Sequence, residues 1–205
     1  MRILIGCETS NTISREFRKL GHTVISCDLL PNDEDQTNHF QGDLFDIINT
    51  GFDMGIFHPP CPFLTVSANK WYADQPARKS GALVGEERMR ARIKAIEFFI
   101  NIYYCNIPKI AIENPIGVMS SVFRKPDQII QPWMFGHGET KATCLWLRNL
   151  PPLQWNESNN LFGSKTADEG RQQKIFHMPP SPDRWKIRSK TFTGIAEAMA
   201  TQWNF

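Results

Sequence analysis

Two residues that can take part in covalent chemistry each follow an apolar, strand-like segment of this sequence. Cys61 stands in the run PPCPF (59–63), directly after the apolar run 54–57, and Glu113 follows the apolar run 110–112. In an open α/β sheet, ligands and reactive groups collect at the carboxyl ends of parallel strands. A thiol nucleophile and a carboxyl proton donor at one such edge predict a catalytic arrangement.

Cys61 differs from the other cysteines in its setting. Cys7, Cys27, Cys105 and Cys144 are interpreted as small buried hydrophobic residues. The two prolines before Cys61 end the strand ladder and force the chain out of the sheet, which would lift the thiol from its edge. Its apolar neighbours do not activate it, so a substrate or a neighbouring dipole would have to do so.

Glu113 has two interpretations. It could cap a helix after Pro115, or it could act in catalysis beside Cys61, and the pairing favours catalysis. Partial burial is expected to raise the pKa of its carboxyl group, which would then hold a proton for a ring nitrogen.

Apolar runs alternate with amphipathic segments along the chain. The pattern predicts helices that carry Ile13, Phe17 and Leu20, then Met89, Ile93, Ile96, Ile100 and Tyr103, and finally Ile195, Met199 and Trp203. Side chains of residues 10–12 are expected to cap the first helix. Strands are predicted near 3–5, 23–27, 52–57, 109–113 and 143–147. This alternation predicts an α/β fold with a doubly wound, mostly parallel sheet.

Residues 62–85 have no clear periodicity, which predicts a long loop. A loop of this length in a compact domain is more often a lid over a functional site than a plain connection. The basic residues of the helix that follows, Arg88, Arg90, Arg92 and Lys94, are interpreted as a solvated face. A denser basic cluster at 184–190, which includes Trp185, predicts contact with nucleic-acid phosphates.

Asp28 and Asp43 each follow a strand, where an acidic residue accepts hydrogen bonds from a ribose or simply forms a turn.

The composition is that of a soluble globular protein. The chain has 205 residues, 41% hydrophobic and 21% charged, with a net charge of +2 that permits a nucleic-acid partner without requiring one. Its five scattered cysteines support neither a metal site nor a disulfide framework, and His137 and His177 are expected to be structural. We found no signal peptide or membrane span, and expect a protein of the bacterial or phage-infected host cytoplasm.

Taken together, these segments resemble the DNA cytosine-5 methyltransferases, and more closely their short phage-borne relatives. The run 60–67, with its downstream Ser67, is similar to the family's Pro-Cys nucleophile motif, and 112–114 resembles its Glu-Asn motif. The run 140–143 occupies the place of the arginine motif that contacts the base. The run 188–200 resembles the final motif, which completes the cofactor pocket.

The resemblance implies a Rossmann-like class I fold that uses S-adenosylmethionine and acts on DNA as a monomer, with no metal and no membrane. It implies catalytic residues Cys61, Glu113, Lys141 and Thr143. The implied cofactor residues are Gly6, Glu8, Ser10, Asp28, Asp43 and Pro59. The implied substrate residues are Pro60, Ser67, Asn114, Arg184, Lys186 and Arg188.

The implied organisation has a catalytic core at 1–147, a reduced target-recognition insertion at 148–182, and a carboxyl-terminal segment, 183–205, that completes the core. The implied reaction adds the Cys61 thiolate to carbon 6 of cytosine, assisted by Glu113, and methylates carbon 5. Because the recognition region is small, a free cytosine nucleotide or a single-stranded nucleic acid is an alternative substrate. A DNA- or cofactor-binding module without turnover is a further alternative. Amino-methylation is disfavoured, since residues 58–61 lack an Asp/Asn-Pro-Pro-aromatic run.

Overall fold

One mixed sheet organises the molecule, which is known from a computed structural model. The structure describes residues 1–66, 69–78, 80–155, 177–181 and 183–205. Seven strands of these residues pair in the order β3-β2-β1-β4-β5-β7-β6. Their bounds are β1 Arg2–Gly6, β2 Thr23–Asp28, β3 His39–Gln41, β4 Met54–Phe57, β5 Lys109–Pro115, β6 Gln128–Ile130 and β7 Thr143–Arg148.

Strand direction confirms the predicted doubly wound, mostly parallel sheet. The pairs β1–β2, β1–β4, β2–β3 and β4–β5 are parallel, whereas β7 runs antiparallel to both β5 and β6. Because β1, β4 and β5 are parallel neighbours, their carboxyl ends meet at one edge, and the amino end of β7 joins them there. The short strands β3 and β6 and the reversal of β7 had no clear sequence signal.

Alternating strand residues bury two opposite faces of the sheet. Ile3 and Ile5 of β1 lie in one core cluster with residues of α1 (Thr12–Lys19) and α6 (Thr193–Gln202). Leu4, between them, lies in the other cluster with Phe99 of α3 (Gly85–Tyr103). Successive strand side chains point to opposite faces, so one apolar run serves both layers of helices. The shorter helices are α2 (Leu44–Ile47), α4 (Met119–Val122) and α5 (Arg184–Ser189).

The buried face of α3 differs from the predicted one. Met89 and Ile93 are 42% and 49% exposed, while Arg88 is only 7% exposed. The carboxyl-terminal half of the helix packs on the sheet through Phe99 and Ile102. In its amino-terminal half, Arg88 and Arg92 are covered by the segment after β4, whose Pro62 and Phe63 carbonyls they bond. The prediction of a solvated arginine face is therefore wrong at Arg88.

The predicted division into core, insertion and carboxyl-terminal segment stays a prediction. Most of the proposed insertion, residues 156–176, lies outside the described residues, as does residue 182.

Candidate active site

The chain leaves β4 in a tight turn that begins at Cys61. The backbone N–H of His58 still donates to the carbonyl of Gly6 at 3.0 Å, which extends the β1–β4 ladder by one residue. The two prolines that follow have no N–H to donate, and the chain departs from the sheet. The Cys61 carbonyl then accepts the backbone N–H groups of Leu64 and Thr65 at 3.0 and 3.1 Å. Cys61 thus opens a helical turn at the sheet edge, with its side chain partly exposed.

The segment after β5 holds this turn in place. Thr65 and Gly117 form an isolated antiparallel bridge, and the Val118 N–H donates to the Leu64 carbonyl at 2.8 Å. A Cβ atom at Gly117 would lie 2.1 Å from the Leu64 carbonyl oxygen, so only glycine permits this approach. The position of Cys61 is therefore tied to the strand that carries Glu113.

Glu113 lies beside Cys61 at the same edge. In the β4–β5 ladder the last paired residues are Phe57 and Ile112. Glu113 follows Ile112 directly, and Cys61 lies four residues after Phe57, at the end of the exit from β4. The Glu113 side chain is 19% exposed, and its Oε2 lies 3.1 Å from Nδ1 of His58. The structure therefore brings the predicted pair together and adds His58, for which we predicted no role.

The charges around the pair act on both groups. Burial and then the negative charge of Glu113 raise the pKa of the Cys61 thiol, while Lys141 and Arg188 partly offset them. Burial alone would also raise the pKa of Glu113. The hydrogen bond and charge of His58, the charge of Lys141 and a hydrogen bond from Thr143 outweigh it, and the pKa lies below its ordinary value. The expected raised pKa of Glu113 is wrong, because the sequence did not reveal these neighbours.

Lys141 and Thr143 lie on the other side of Glu113. The Lys141 backbone N–H donates to the side chain of Gln131 at 2.9 Å, and its Nζ donates to the Arg188 carbonyl at 2.9 Å. The Thr143 hydroxyl reaches the Lys141 carbonyl at 3.1 Å, and its single proton is shared between that acceptor and Glu113. A small cavity here is lined by Glu113, Lys141, Thr143, Ser189, Thr191, Phe192, Ile195 and Met199.

Three of the predicted substrate and cofactor residues flank the Cys61 turn. Asn114 is buried, and its Nδ2 donates to the Pro59 carbonyl at 2.8 Å, so its donor is used to shape the turn. Its Oδ1 is buried and meets no partner within the described ranges. Pro59 is buried and Pro60 is exposed. Ser67 lies outside the described residues.

Helix α5 contacts the segment after β2 through Lys186 and contacts Lys141 through the Arg188 carbonyl. Lys186 Nζ lies 2.5 Å from Asp33 Oδ1, and its predicted contact with a phosphate stays a prediction. The Arg188 carbonyl receives Lys141, and the Arg188 charge acts on Cys61. Trp185 is 55% exposed, and Arg184 begins the helix. Of the three predicted substrate-binding cations, the structure places Arg188 beside the reactive thiol.

The loop after β1 is built around Glu8. Its Oε1 accepts the backbone N–H of Ile13 at 2.7 Å, and its Oε2 accepts the Ser14 hydroxyl at 2.6 Å. Glu8 is buried and caps the amino end of α1, where a negative charge is stabilising. The predicted cap at residues 10–12 is wrong, since Asn11 makes no capping side-chain bond. The Glu8 carboxylate accepts three hydrogen bonds from α1, and its predicted role in cofactor binding stays a prediction.

Gly6 and Ser10 frame the same loop. A Cβ atom at Gly6 would lie 2.5 Å from a ring carbon of Phe57, so the backbone approaches β4 more closely than a side chain would allow. The next residue, Cys7, has a φ of 59°. Ser10 Oγ lies 3.0 Å from the Thr12 hydroxyl.

Asp28 and Asp43 lie together at the carboxyl ends of β2 and β3. Asp28 Oδ1 accepts the Leu30 N–H at 2.9 Å, and Asp43 Oδ1 accepts the Phe45 N–H at 2.9 Å as the cap of α2. Burial raises the pKa of the Cys7 thiol, and the negative charges of Asp28 and Asp43 raise it further. Both carboxylates therefore lie near the carboxyl end of β1. Each carboxylate retains acceptor capacity for a ribose or amine, which fits the nucleoside part of S-adenosylmethionine.

A cleft opens next to these two carboxylates. It is lined by Thr9, Leu30, Pro31, Asp33, Trp185 and Lys186. It therefore joins the β1 loop, the segment after β2 and helix α5. Apolar and polar groups are mixed there, as in sites for small organic ligands.

Two arginines of α3 hold the segment after Cys61, and sequence reasoning missed both. Arg88 donates to the Pro62 carbonyl at 3.2 Å. Arg92 donates to the Phe63 carbonyl at 2.8 Å and stacks 3.6 Å from the centre of the Tyr72 ring. Their spacing of four on one helix face, after an aromatic-containing loop, was the available signal.

We compared the chain with known proteins. No protein-family model and no curated protein matches the sequence. Solved structures are similar to it. One is a prophage-encoded E. coli protein described as a DNA modification methyltransferase, with 13% identity, a TM-score of 0.41 and coverage of 72% of this chain and 46% of that one. S. pombe Dnmt2 methyltransferase has 15% identity, a TM-score of 0.47 and coverage of 85% and 58%. A Spodoptera frugiperda DNMT2 mutant has 14% identity, a TM-score of 0.44 and coverage of 76% and 53%.

The chain spans about half the length of these structures. Its own sheet, with six strands in one direction and β7 reversed beside β5, carries the assignment of fold. The fold is an α/β fold with a doubly wound, mostly parallel sheet of seven strands among the described residues. In this fold, the Cys61–Glu113 edge and the Asp28–Asp43 edge are neighbouring parts of one surface, because β1 lies between β2 and β4.

Two further features concern ligands and membranes. Across the described ranges, no group of three or more His, Cys, Asp or Glu side chains is placed to hold a metal ion. No helix in the part of the chain that the structure describes has the length and apolar character needed to cross a bilayer.

Proposed function

We propose that this protein transfers a methyl group from S-adenosylmethionine to carbon 5 of cytosine in DNA, through a covalent adduct with Cys61. The observation that carries the proposal is the Cys61–Glu113 pair. The thiol follows β4, the carboxylate lies near the carboxyl end of the neighbouring parallel strand β5, and the charge of the carboxylate acts on the thiol. A nucleophilic cysteine also needs access and nearby positive charge, and Cys61 is partly exposed and lies in the field of Lys141 and Arg188.

The chemistry follows from the electronic character of cytosine. Carbon 5 is a poor nucleophile until a group adds at carbon 6. The Cys61 thiol loses its proton, and its sulfur forms a bond to carbon 6, which places electron density on carbon 5. Glu113 faces the ring nitrogen and amine and stabilises the adduct through hydrogen bonds. Carbon 5 would take the methyl group, which leaves S-adenosylhomocysteine, and would then lose its proton to water, so that the electrons of that C–H bond restore the double bond between carbons 5 and 6. The sulfur–carbon bond breaks, and Cys61 is released.

Positive charge beside the thiol supports this use of Cys61. In the free protein, burial and Glu113 keep the thiol protonated, and Lys141 and Arg188 counter them. When a base pairs with Glu113, part of the opposing negative charge is neutralised. The two cations then favour the thiolate, which is the reactive form. Arg188 is well placed to contribute because α5 lies over the site, with its carbonyl fixed by Lys141.

The cofactor would lie beside this pair. Asp28 and Asp43 would hold its nucleoside part, and the cleft that Trp185 and Lys186 help to line would hold the rest. When bound, S-adenosylmethionine supplies an electrophilic methyl group. In duplex DNA the target base must be flipped out of the stack, at a cost of a few kcal/mol (roughly) that contacts in the site repay.

The test is nucleoside mass spectrometry of duplex DNA, single-stranded DNA and free deoxycytidine nucleotide, each incubated with S-adenosylmethionine and the protein. We expect 5-methylcytosine in the duplex sample and its loss with Cys61→Ala. Cys105→Ala is the matched control, because Cys105 is also a partly exposed free cysteine but lies away from the site. That variant should retain activity.

Other outcomes would replace the proposal. Product only on the nucleotide or the single strand would favour the alternative substrates, which the short recognition region 148–182 also suits. Salt-sensitive DNA binding without any product would favour a binding module. Full activity of Cys61→Ala would exclude the covalent route.

A further inference from the structure

His58 is a buried titratable residue that the proposed chemistry does not yet use. It follows β4 directly, and its backbone N–H is fixed by the Gly6 carbonyl at 3.0 Å. Its side chain is 11% exposed, and Nδ1 lies 3.1 Å from Glu113 Oε2. Because the pKa of Glu113 is lowered, the carboxylate accepts and the imidazole Nδ1–H donates.

The other ring nitrogen of His58 has no such contact. Nε2 is buried and has no hydrogen-bond partner among the residues that the structure describes. A histidine that served only to fill the core would have both nitrogens satisfied or one exposed to water. Within the described part of the chain, the hydrogen bond of this side chain is therefore the one to Glu113.

Other groups also face Glu113 and must be separated from His58. Lys141 contributes a positive charge from the segment before β7, and Thr143 contributes a hydrogen bond. The thiols of Cys61, after β4, and of Cys144, in β7, also lie near Glu113, whose charge raises the pKa of each. Burial raises the pKa of Glu113, and the hydrogen bond and charge of His58 are the largest of the effects that lower it.

We propose that His58 is a positioning residue that holds Glu113 in one orientation and in its charged form until substrate enters the site. This inference rests on the proposed function. Substrate that covers the carboxylate removes water from it and favours its protonated form, which can then donate to a ring nitrogen. His58 opposes this change, and so sets the pH range over which Glu113 carries a proton.

The experiment is an NMR titration of the Glu113 side-chain carboxyl in the free protein, labelled with ¹³C and assigned by comparison with Glu113→Gln. We compare wild type with His58→Leu, which removes both charge and donor, and with His58→Asn, which keeps a donor near Nδ1. The midpoint should rise by about one pH unit or more in His58→Leu, because burial then dominates. It should rise by less in His58→Asn.

The readout does not require turnover, so it stands apart from the proposed methyl transfer. If methyl transfer is observed, the rate with His58→Leu should also fall off at a higher pH than in wild type. An unchanged midpoint in a folded His58→Leu protein would overturn the proposal. If that variant does not fold, His58→Phe, which also removes charge and donor, takes its place, and an unchanged Glu113 midpoint in that variant would overturn the proposal as well.

Discussion

The Asn114 side chain continues a strand ladder that Pro59 interrupts. Strands β4 and β5 pair through their backbones up to Phe57 and Ile112. Two residues further on, Pro59 has no N–H, and Asn114 Nδ2 donates to its carbonyl at 2.8 Å instead. One residue before, His58 meets Glu113 through side chains. The two strand exits are thus joined by side chains where the backbone cannot join them, and this fixes the nucleophile relative to the carboxylate.

The first prediction concerns that buried bond. Asn114→Asp replaces the donor by an oxygen that faces the Pro59 carbonyl in a buried place, and we expect a loss of about 2–4 kcal/mol in the free energy of unfolding. Asn149→Asp is the matched control, since Asn149 also donates to a proline carbonyl, that of Pro108, at 2.8 Å but at an exposed site. Its φ of 55° is one that aspartate tolerates.

Urea unfolding of the two variants checks this comparison. We expect the exposed change to cost less than about 0.5 kcal/mol. Equal losses in the free energy of unfolding at the two sites would show that the buried bond from Asn114 to Pro59 stabilises the protein no more than an exposed one.

The second prediction concerns the arginines that hold the segment after Cys61. Arg92→Lys removes the planar group that bonds the Phe63 carbonyl and stacks on Tyr72. We expect trypsin to cleave after Lys70 or Arg78 about tenfold faster. A decrease of about 1.4 kcal/mol in the free energy of local opening of this segment corresponds to that factor. The fragments are identified by mass spectrometry.

Arg90→Lys is the control for this change. Arg90 lies on the same helix but forms an exposed pair with Glu86 at 2.6 Å, and such pairs contribute little. Both variants keep a trypsin site at the substituted position. Equal cleavage rates in the two would contradict a holding role for Arg92.

The third prediction uses the charge of Glu113 on Cys61. Burial and this charge together raise the pKa of the thiol, so removal of the charge should lower that pKa and increase the thiolate fraction. With Glu113→Gln we expect alkylation of Cys61 by iodoacetamide at pH 8 to be several times faster, roughly tenfold for each unit by which the pKa falls.

Cys105 is the internal reference for this experiment. Burial raises its pKa as well, but Glu113 is not among the causes, so its alkylation rate should be unchanged. Peptide mass spectrometry resolves the two sites in one sample. A slower or unchanged reaction at Cys61 would show that Glu113 does not hold its charge beside the thiol.

Some of this molecule could be predicted from residue order alone. Apolar runs bounded by Gly, Pro and Asp placed β1, β2, β4, β5 and β7, and spacings of three and four placed α1 and α6. A proline pair after a buried strand also placed Cys61 outside the sheet, because proline cannot continue a ladder. These features are local, since each depends on the conformational preferences of a few adjacent residues.

The rest depends on groups that are distant in sequence. The sequence predicted a protonated Glu113, yet His58 and Lys141 approach it from other elements and lower its pKa. It predicted a solvated arginine face on α3, yet Arg88 and Arg92 bond the segment after Cys61. It placed the cap of α1 at residues 10–12, yet the Glu8 carboxylate accepts the hydrogen bonds of that helix end. The sequence by itself determined which residues can react and which strands carry them. Only the tertiary structure decided their charge and their partners, because electrostatic energy depends on distance in space and on burial.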